Sequence, residues 1–183
     1  RQALRALGAT VHVVENAPPW DPRNFQNVAR HMAEEHGWFL TDQFRNPANV
    51  DIHATTTAQE ILEQTSGEVG AFVAVVCTGG TVSGVGRALK QAIPDIQIIV
   101  ADPVGSSLAD LIETGALGPS GSYAVEGIGT SQPPENLHLE VIDGAERVSD
   151  EESFEMTRRL IQEEGLLVGG ASGTNVVAAL RVA

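Results

Sequence analysis

Seven consecutive residues without a polar group capable of solvation, Ala71-Phe72-Val73-Ala74-Val75-Val76-Cys77, run without interruption into Thr78-Gly79-Gly80-Thr81. Beyond them Val82, Val85, Leu89 and Ile93 recur at three- and four-residue spacing, the period of a helix with one buried face. An uninterrupted apolar strand has to be covered on both faces, which is the situation of a parallel sheet held between layers of helix. A second such run, Ile96 to Ala101, follows the helix and ends at Asp102-Pro103. The expected fold class is therefore α/β, a three-layer, mostly parallel sheet with helices on both faces. In such folds ligands sit at the carboxyl ends of the strands.

The remaining segments fit that alternation. Leu4 and Leu7 read as part of a helix stopped by Gly8, and Thr10 to Val14 is β-branched like a strand. A helix is expected from about Asn24 to His36, a polar loop over Asp42 to Asn49, and a helix carrying Ile61 and Leu62. A short helix is expected to begin near Ser106 or Ser107, followed by a Gly- and Ser-rich loop over Gly115 to Gly129. Leu139 to Ile142 alternates like an edge strand. Ser149 with Glu152 forms a capping box for a helix through Phe154, Leu160 and Ile161, and Gly165 ends it. A second glycine loop, Gly169 to Thr174, leads into a helix from Asn175 that still runs at Ala183, so both ends are expected to be cut through helices.

Composition excludes several functions. Eleven basic residues against 24 acidic ones give a formal charge of -13, the wrong sign for a phosphate-backbone binder, so no nucleic-acid partner is expected. No apolar run approaches the roughly 20 residues of a membrane span, and no secretory signal opens the chain, which points to a cytoplasmic protein without a membrane partner. The single Cys77 cannot form an internal disulfide, and the five histidines have no metal-ligand spacing, so no metal site is expected. Ten of the eleven basic residues are arginines. Any chemistry that needs a lysine has one candidate, Lys90, and its place beside Arg87 on the outward face of its helix predicts a solvated side chain.

The Thr78-Gly79-Gly80-Thr81 turn carries chemistry of its own. Glycines let successive amides converge, the helix N-terminus adds partial positive charge, and two threonine hydroxyls add donors, so a phosphate can be gripped without lysine. A Walker loop is excluded because no Gly-Lys-Ser/Thr follows. Asp102 stands about where a ribose-binding acid would lie in a dinucleotide fold, but the spacing of Gly79, Gly80, Gly84 and Gly86 is not GxGxxG.

Five motifs occur in order along the chain: Gln43-Phe44-x-Asn46-Pro47-Ala48-Asn49, His53 with Thr55-Thr56, Thr78-Gly79-Gly80-Thr81, Glu126-Gly127-Ile128-Gly129, and Gly165-Leu166-Leu167-x-Gly169-Gly170-x-Ser172-Gly173. Together they resemble the cysteine synthase and cystathionine β-synthase family along essentially the whole length. The resemblance implies a pyridoxal 5'-phosphate enzyme of fold type II, the tryptophan synthase β type. Residues 1–40 would be the remainder of a small N-terminal domain and 41–183 the large cofactor-binding domain, truncated at its C-terminal helix.

The same resemblance assigns the site. Cys77, Thr78, Gly79, Gly80 and Thr81 match the loop that holds the cofactor phosphate, with Cys77 standing where the family usually has glycine. The position that faces the pyridine nitrogen is matched by Ala171, with Ser172 beside it. Gln43 matches the glutamine that looks toward the substrate carboxylate, and Gly127 lies in the backbone lining the reacting face. The family's Schiff-base lysine and its substrate-carboxylate loop lie upstream of anything matching Arg1, so no catalytic residue is expected in this chain and the chain alone is expected to be inactive. The implied activity is β-replacement on an O-activated serine by a sulfur nucleophile, giving cysteine, with cystathionine synthesis from serine and homocysteine as the alternative. A homodimer is implied for the parent. A non-catalytic fragment that binds a phosphate compound is the reading from a different class.

Overall fold

The computed structural model describes residues 1–183. The chain divides into two compact units, Arg1–Asp42 and Gln43–Ala183. In the first, α1 (Gln2–Ala6) is a short exposed helix and α2 (Phe25–His36) begins at Asn24, whose side chain accepts the Gln26 N–H and donates to the Ala17 carbonyl. No strand forms over Thr10 to Val14, and Val13 is exposed. β-branching favours an extended backbone, but a strand also needs a neighbour to complete its ladder, and no ladder in the structure includes these residues.

The second unit is the three-layer body. Its sheet has the order β1-β2-β3, all parallel, formed by β1 (Ala71–Val75), β2 (Gln97–Pro103) and β3 (Gly144–Val148). The first half holds α3 (Ala48–Ile52), a single π-helical turn (His53–Thr57) and α4 (Ala58–Gln64). The crossover helices α5 (Gly80–Ala92) and α6 (Leu108–Thr114) join β1 to β2 and β2 toward β3. The last two helices are α7 (Asp150–Glu164) and α8 (Gly170–Val182).

The two sheet faces bury different sets. Ala74, Val76, Ile98 and Val100 meet Val82, Val85 and Leu89 of α5, with Ala58 and Leu108, in the larger core. Full burial of each large side chain contributes about 1.5–3 kcal/mol, so this face does most to hold α5 and the turn before it in place. Ala101 and Val148 meet Ala178 of α8 on the opposite face, with Val73, Val75 and Val177 packed around them.

Two strand assignments change. Leu139–Val141 is a 3-10 turn, held to α5 by the His138 N–H donating to Ser83 Oγ at 2.9 Å. The edge strand lies just beyond it at Gly144–Val148, and Asp143 starts that ladder: its backbone N–H donates to the Ile98 carbonyl while its carboxylate accepts the Ile98 N–H. Lys90 Nζ sits 2.6 Å from the same Asp143 carboxylate, so the lysine is a half-buried ion-pair partner rather than a solvated side chain. The Ser149–Glu152 capping box forms in full, a cap worth about 1 kcal/mol.

Candidate functional site

The carboxyl end of β1 is where the site gathers. The apolar strand stops at Val75, Val76 is buried, and the chain emerges at Cys77 before α5 begins. Cys77 is absent from the residues with positive φ, so this position needs no glycine. Its thiol is solvent-accessible, yet the protein packed around the sulfur pushes its pKa up, which keeps it protonated and weakly nucleophilic.

Gly79 is the N-cap of α5 with φ +84°, and no side chain caps the helix. The first-turn N–H groups of a 13-residue helix are therefore left to an external acceptor. A side chain at Gly79 would collide with the backbone of Asn136 and Leu137, its Cβ lying 2.7 Å from Leu137 N. Thr78 is half-buried and Thr81 exposed at the mouth of this turn. The set of free amides and two hydroxyls, with no cation, suits a phosphate held by backbone and side-chain donors.

Three side chains outside the turn hold it. Asn49 Nδ2 donates to the Gln43 carbonyl at 2.8 Å and to Thr78 Oγ1 at 2.9 Å. Asn136, 3% exposed, donates from Nδ2 to the carbonyls of Gln43 at 2.9 Å and Asn46 at 3.2 Å. His53 lies between two hydroxyls, Nδ1 3.0 Å from Thr57 Oγ1 and Nε2 3.2 Å from Thr81 Oγ1. The motif residues Asn49 and His53 are in the sequence, but nothing in their spacing shows that they reach the glycine turn. Asn136 lies 93 residues from Gln43 and has no local signature.

Gln43 thus enters through its backbone, with its residue exposed. The Gly127–Gly129 segment is brought to the same strand end by the Gly129 N–H, which donates to the Val76 carbonyl at 2.8 Å. Gly127 has φ +80° and no atom of the chain within 4 Å of where a Cβ would stand. The second glycine motif is not a loop: Gly170 begins α8, and Ala171 and Ser172 occupy its first turn. Asn175, one turn further on, accepts the Val75 N–H at 2.8 Å and ties this end of α8 to β1. The Ser172 hydroxyl has no hydrogen-bond partner in the chain, and Ala171 has none to offer.

Asp102, at the carboxyl end of β2, is 1% exposed. Oδ2 accepts the Ala109 N–H at 2.9 Å, and Oδ1 has no partner. Burial raises its pKa, against the smaller opposing effects of Ser106, Ala109 and Arg147. Burial, with the charges of Asp102 and Cys77, raises that of Tyr123 as well. A raised carboxyl pKa means that the native state holds its proton more tightly than the unfolded state, so this group's contribution to stability is complete at low pH. It is lost as pH rises from the ordinary carboxylate value through the native one. Asp102→Asn is therefore expected to gain stability relative to wild type as pH rises above about 4, and denaturant midpoints from pH 3 to 7 measure it. A constant difference across that range would show that the buried carboxyl does not titrate differently on folding.

The pyridoxal-phosphate dependent enzyme family matches residues 1–183, and this chain belongs to that family. A cysteine synthase of Staphylococcus aureus (strain N315) is 39% identical over 184 residues, covering 100% of this chain and 57% of the relative. A protein named cysteine synthase 2 in Neurospora crassa is 38% identical, covering 98% of this chain and 44% of the relative; its namesake in Schizosaccharomyces pombe is also 38% identical, with 98% and 51% covered. The chain thus spans about half the length of these curated relatives. No helix is long and apolar enough to cross a membrane.

Proposed function

We propose that this chain forms the phosphate-gripping part of an enzyme that replaces the β-substituent of an O-activated serine with a sulfur nucleophile, making cysteine. The carrying observation is the uncapped N-terminus of α5 between Thr78 and Thr81, in a chain that matches cysteine synthases over its whole length. Pyridoxal phosphate, when bound, supplies an electron-accepting ring that stabilises negative charge at the amino acid's α-carbon. The amides of Thr78 to Thr81 and their two hydroxyls bind its phosphate and fix the ring's position. Gly127 leaves one side of that position free of side chains. Gln43 presents an exposed side chain for the substrate carboxylate, and Ser172 supplies the hydroxyl that Ala171 lacks near the ring nitrogen. Lys90, the only lysine, is committed to Asp143 and serves the sheet, so the catalytic lysine is assigned to residues outside this chain.

Cystathionine synthesis from serine and homocysteine is the alternative reading, and the segment Asp102-Pro103-x-Gly105-Ser106 resembles cystathionine β-synthase. These residues have structural work: Ser106 Oγ donates to the Thr130 carbonyl and accepts the Thr130 N–H, and Asp102 holds the start of α6. That motif therefore speaks to loop construction rather than to the sulfur acceptor. The same reading takes the whole protein as a cytoplasmic homodimer.

Assay of the whole enzyme with O-acetylserine and sulfide against serine and homocysteine tests the acceptor. Turnover of the first pair is expected, and exclusive turnover of the second would reverse the assignment. Borohydride treatment of the 183-residue chain with pyridoxal phosphate is expected to leave no covalent adduct. A stoichiometric adduct on Lys90 would overturn the placement of the lysine.

A further inference from the structure

The two hydroxyls of the turn can serve an anion only if their protons point outward. Thr78 is settled by its partner. Asn49 Nδ2 can only donate, so Thr78 Oγ1 accepts and its own proton is left for a ligand. Thr81 faces an imidazole, whose Nε2 can act either way. A bare Nε2 would draw the Thr81 proton inward and turn oxygen lone pairs toward the anion. A protonated Nε2 donates to Thr81 Oγ1 and frees the Thr81 proton.

A second hydroxyl faces the far side of the ring. Thr57, one helical turn from His53, makes no side-chain hydrogen bond other than the one at 3.0 Å to Nδ1. Its hydroxyl can donate to a bare Nδ1, which places the ring hydrogen on Nε2. The fold brings this pair to α5 through two local devices. The π-helical turn His53–Thr57 widens the helix at this point, as such turns often do at functional sites. Gly84 has no side chain, so the backbone of Val50 and the Cβ of His53 can lie directly against α5; a Cβ there would be 2.9 Å from His53 Cβ.

The geometry points to His53 as a positioning residue of the phosphate site, held by Thr57 in the tautomer that makes Thr81 a donor. The chain of bonds then runs one way, from the Thr57 hydroxyl to Nδ1, from Nε2–H to Thr81 Oγ1, and from the Thr81 hydroxyl to the anion, so that each bond polarises the next. The inference rests on the reading of Thr78–Thr81 as the phosphate loop.

The test uses the whole enzyme and 4'-deoxypyridoxine 5'-phosphate, which has no aldehyde and reports the non-covalent grip alone. A glutamine amide nitrogen reaches roughly where Nε2 stands, whereas an asparagine amide reaches only as far as Nδ1. His53→Gln is expected to bind the probe within about threefold of wild type and His53→Asn about tenfold more weakly, with Thr57→Val between them. Nitrogen-15 spectra of the unmutated, probe-loaded protein are expected to show a bare Nδ1 and a protonated Nε2, a readout that does not depend on any variant folding. Equal losses in His53→Gln and His53→Asn, unchanged binding in His53→Asn, or a hydrogen on Nδ1 would overturn the proposal. Thr81→Val separates the two levels: if it binds the probe as wild type does, the phosphate-loop reading itself fails. If it weakens binding while His53→Asn does not, only the role of His53 fails.

Discussion

Gly79→Ala is expected to destabilise the protein by roughly 2–5 kcal/mol and to abolish anion binding at the start of α5. Two independent costs add. An L side chain in the left-handed region costs about 1–2 kcal/mol, and Gly79 has φ +84°. The new Cβ would also lie 2.7 Å from Leu137 N and 2.9 Å from Asn136 C. Backbone atoms cannot rotate aside as a flexible side chain can, and overpacking of this kind typically costs about 1–3 kcal/mol. The obstructing segment is tied down from both sides. Asn136 is bonded to the carbonyls of Gln43 and Asn46, and the His138 N–H is bonded to Ser83. The collision is therefore relieved by moving the turn itself, which scatters the uncapped amides at the start of α5. Gly127→Ala is the matched control, since Gly127 has φ +80° with open space where its Cβ would stand, and only the left-handed cost of about 1–2 kcal/mol applies. Chemical denaturation of the two variants measures the difference. Equal losses would mean that the Asn136–Leu137 backbone yields and that the close approach contributes nothing.

That contrast also marks what the sequence could and could not disclose. The strand, turn and helix around Gly79 were legible because the information is local: an apolar run, two glycines, and a helical period whose buried members are the expected Val82, Val85 and Leu89. The Ser149–Glu152 cap was legible for the same reason. β3 was not, because its stability is supplied from elsewhere. Glu146 and Arg147 are poor signals for a strand, yet Arg147 pairs with Asp110 and Glu113 of α6, and Glu146 lies near Arg181 of α8. The neighbouring Leu139–Val141 alternated more convincingly, but its backbone closes a turn, with the Val141 N–H donating to the His138 carbonyl, and the His138 N–H anchors that turn to Ser83 of α5. The second glycine motif looked like a loop because glycine is a poor helix former. Close packing outweighs that preference here: the backbone of Gly173 lies against Ser153 of α7, where a side chain would not fit. The candidate site's motif residues were singled out one by one through a family resemblance. Their wiring, Asn49 to Thr78, His53 to Thr81 and Asn136 to Gln43, depends on contacts between residues 28 to 93 positions apart, which no local period encodes.

Asn49 is the residue at which breaking that wiring is expected to have the largest functional consequence, because one amide joins the Gln43 segment to the Thr78–Thr81 turn. Its Nδ2 supplies both bonds, so Asn49→Ala removes two donors at once and opens space beside Gly80, against which the amide packs. The Gln43 carbonyl keeps its second donor, Asn136, whereas Thr78 loses its orienting partner altogether. The stability cost is accordingly expected to stay near 1–3 kcal/mol, while affinity for a phosphate probe falls about tenfold or more as the Thr78 proton loses its fixed direction. Asn49→Asp sharpens the test, since it keeps the shape of the side chain and reverses its chemistry. A carboxylate would face the Gln43 carbonyl without a proton to share, would draw the Thr78 hydrogen inward, and would place a negative charge beside the anion. Its loss of phosphate affinity is expected to exceed that of the alanine variant despite the smaller change in volume. Titration with 4'-deoxypyridoxine 5'-phosphate gives the affinities, and hydrogen exchange of the 43–46 backbone reports whether the segment has loosened. If Asn49→Asp bound the probe more tightly than Asn49→Ala, the side chain would act by filling space, and the outward direction of the Thr78 proton would have to be set by something else.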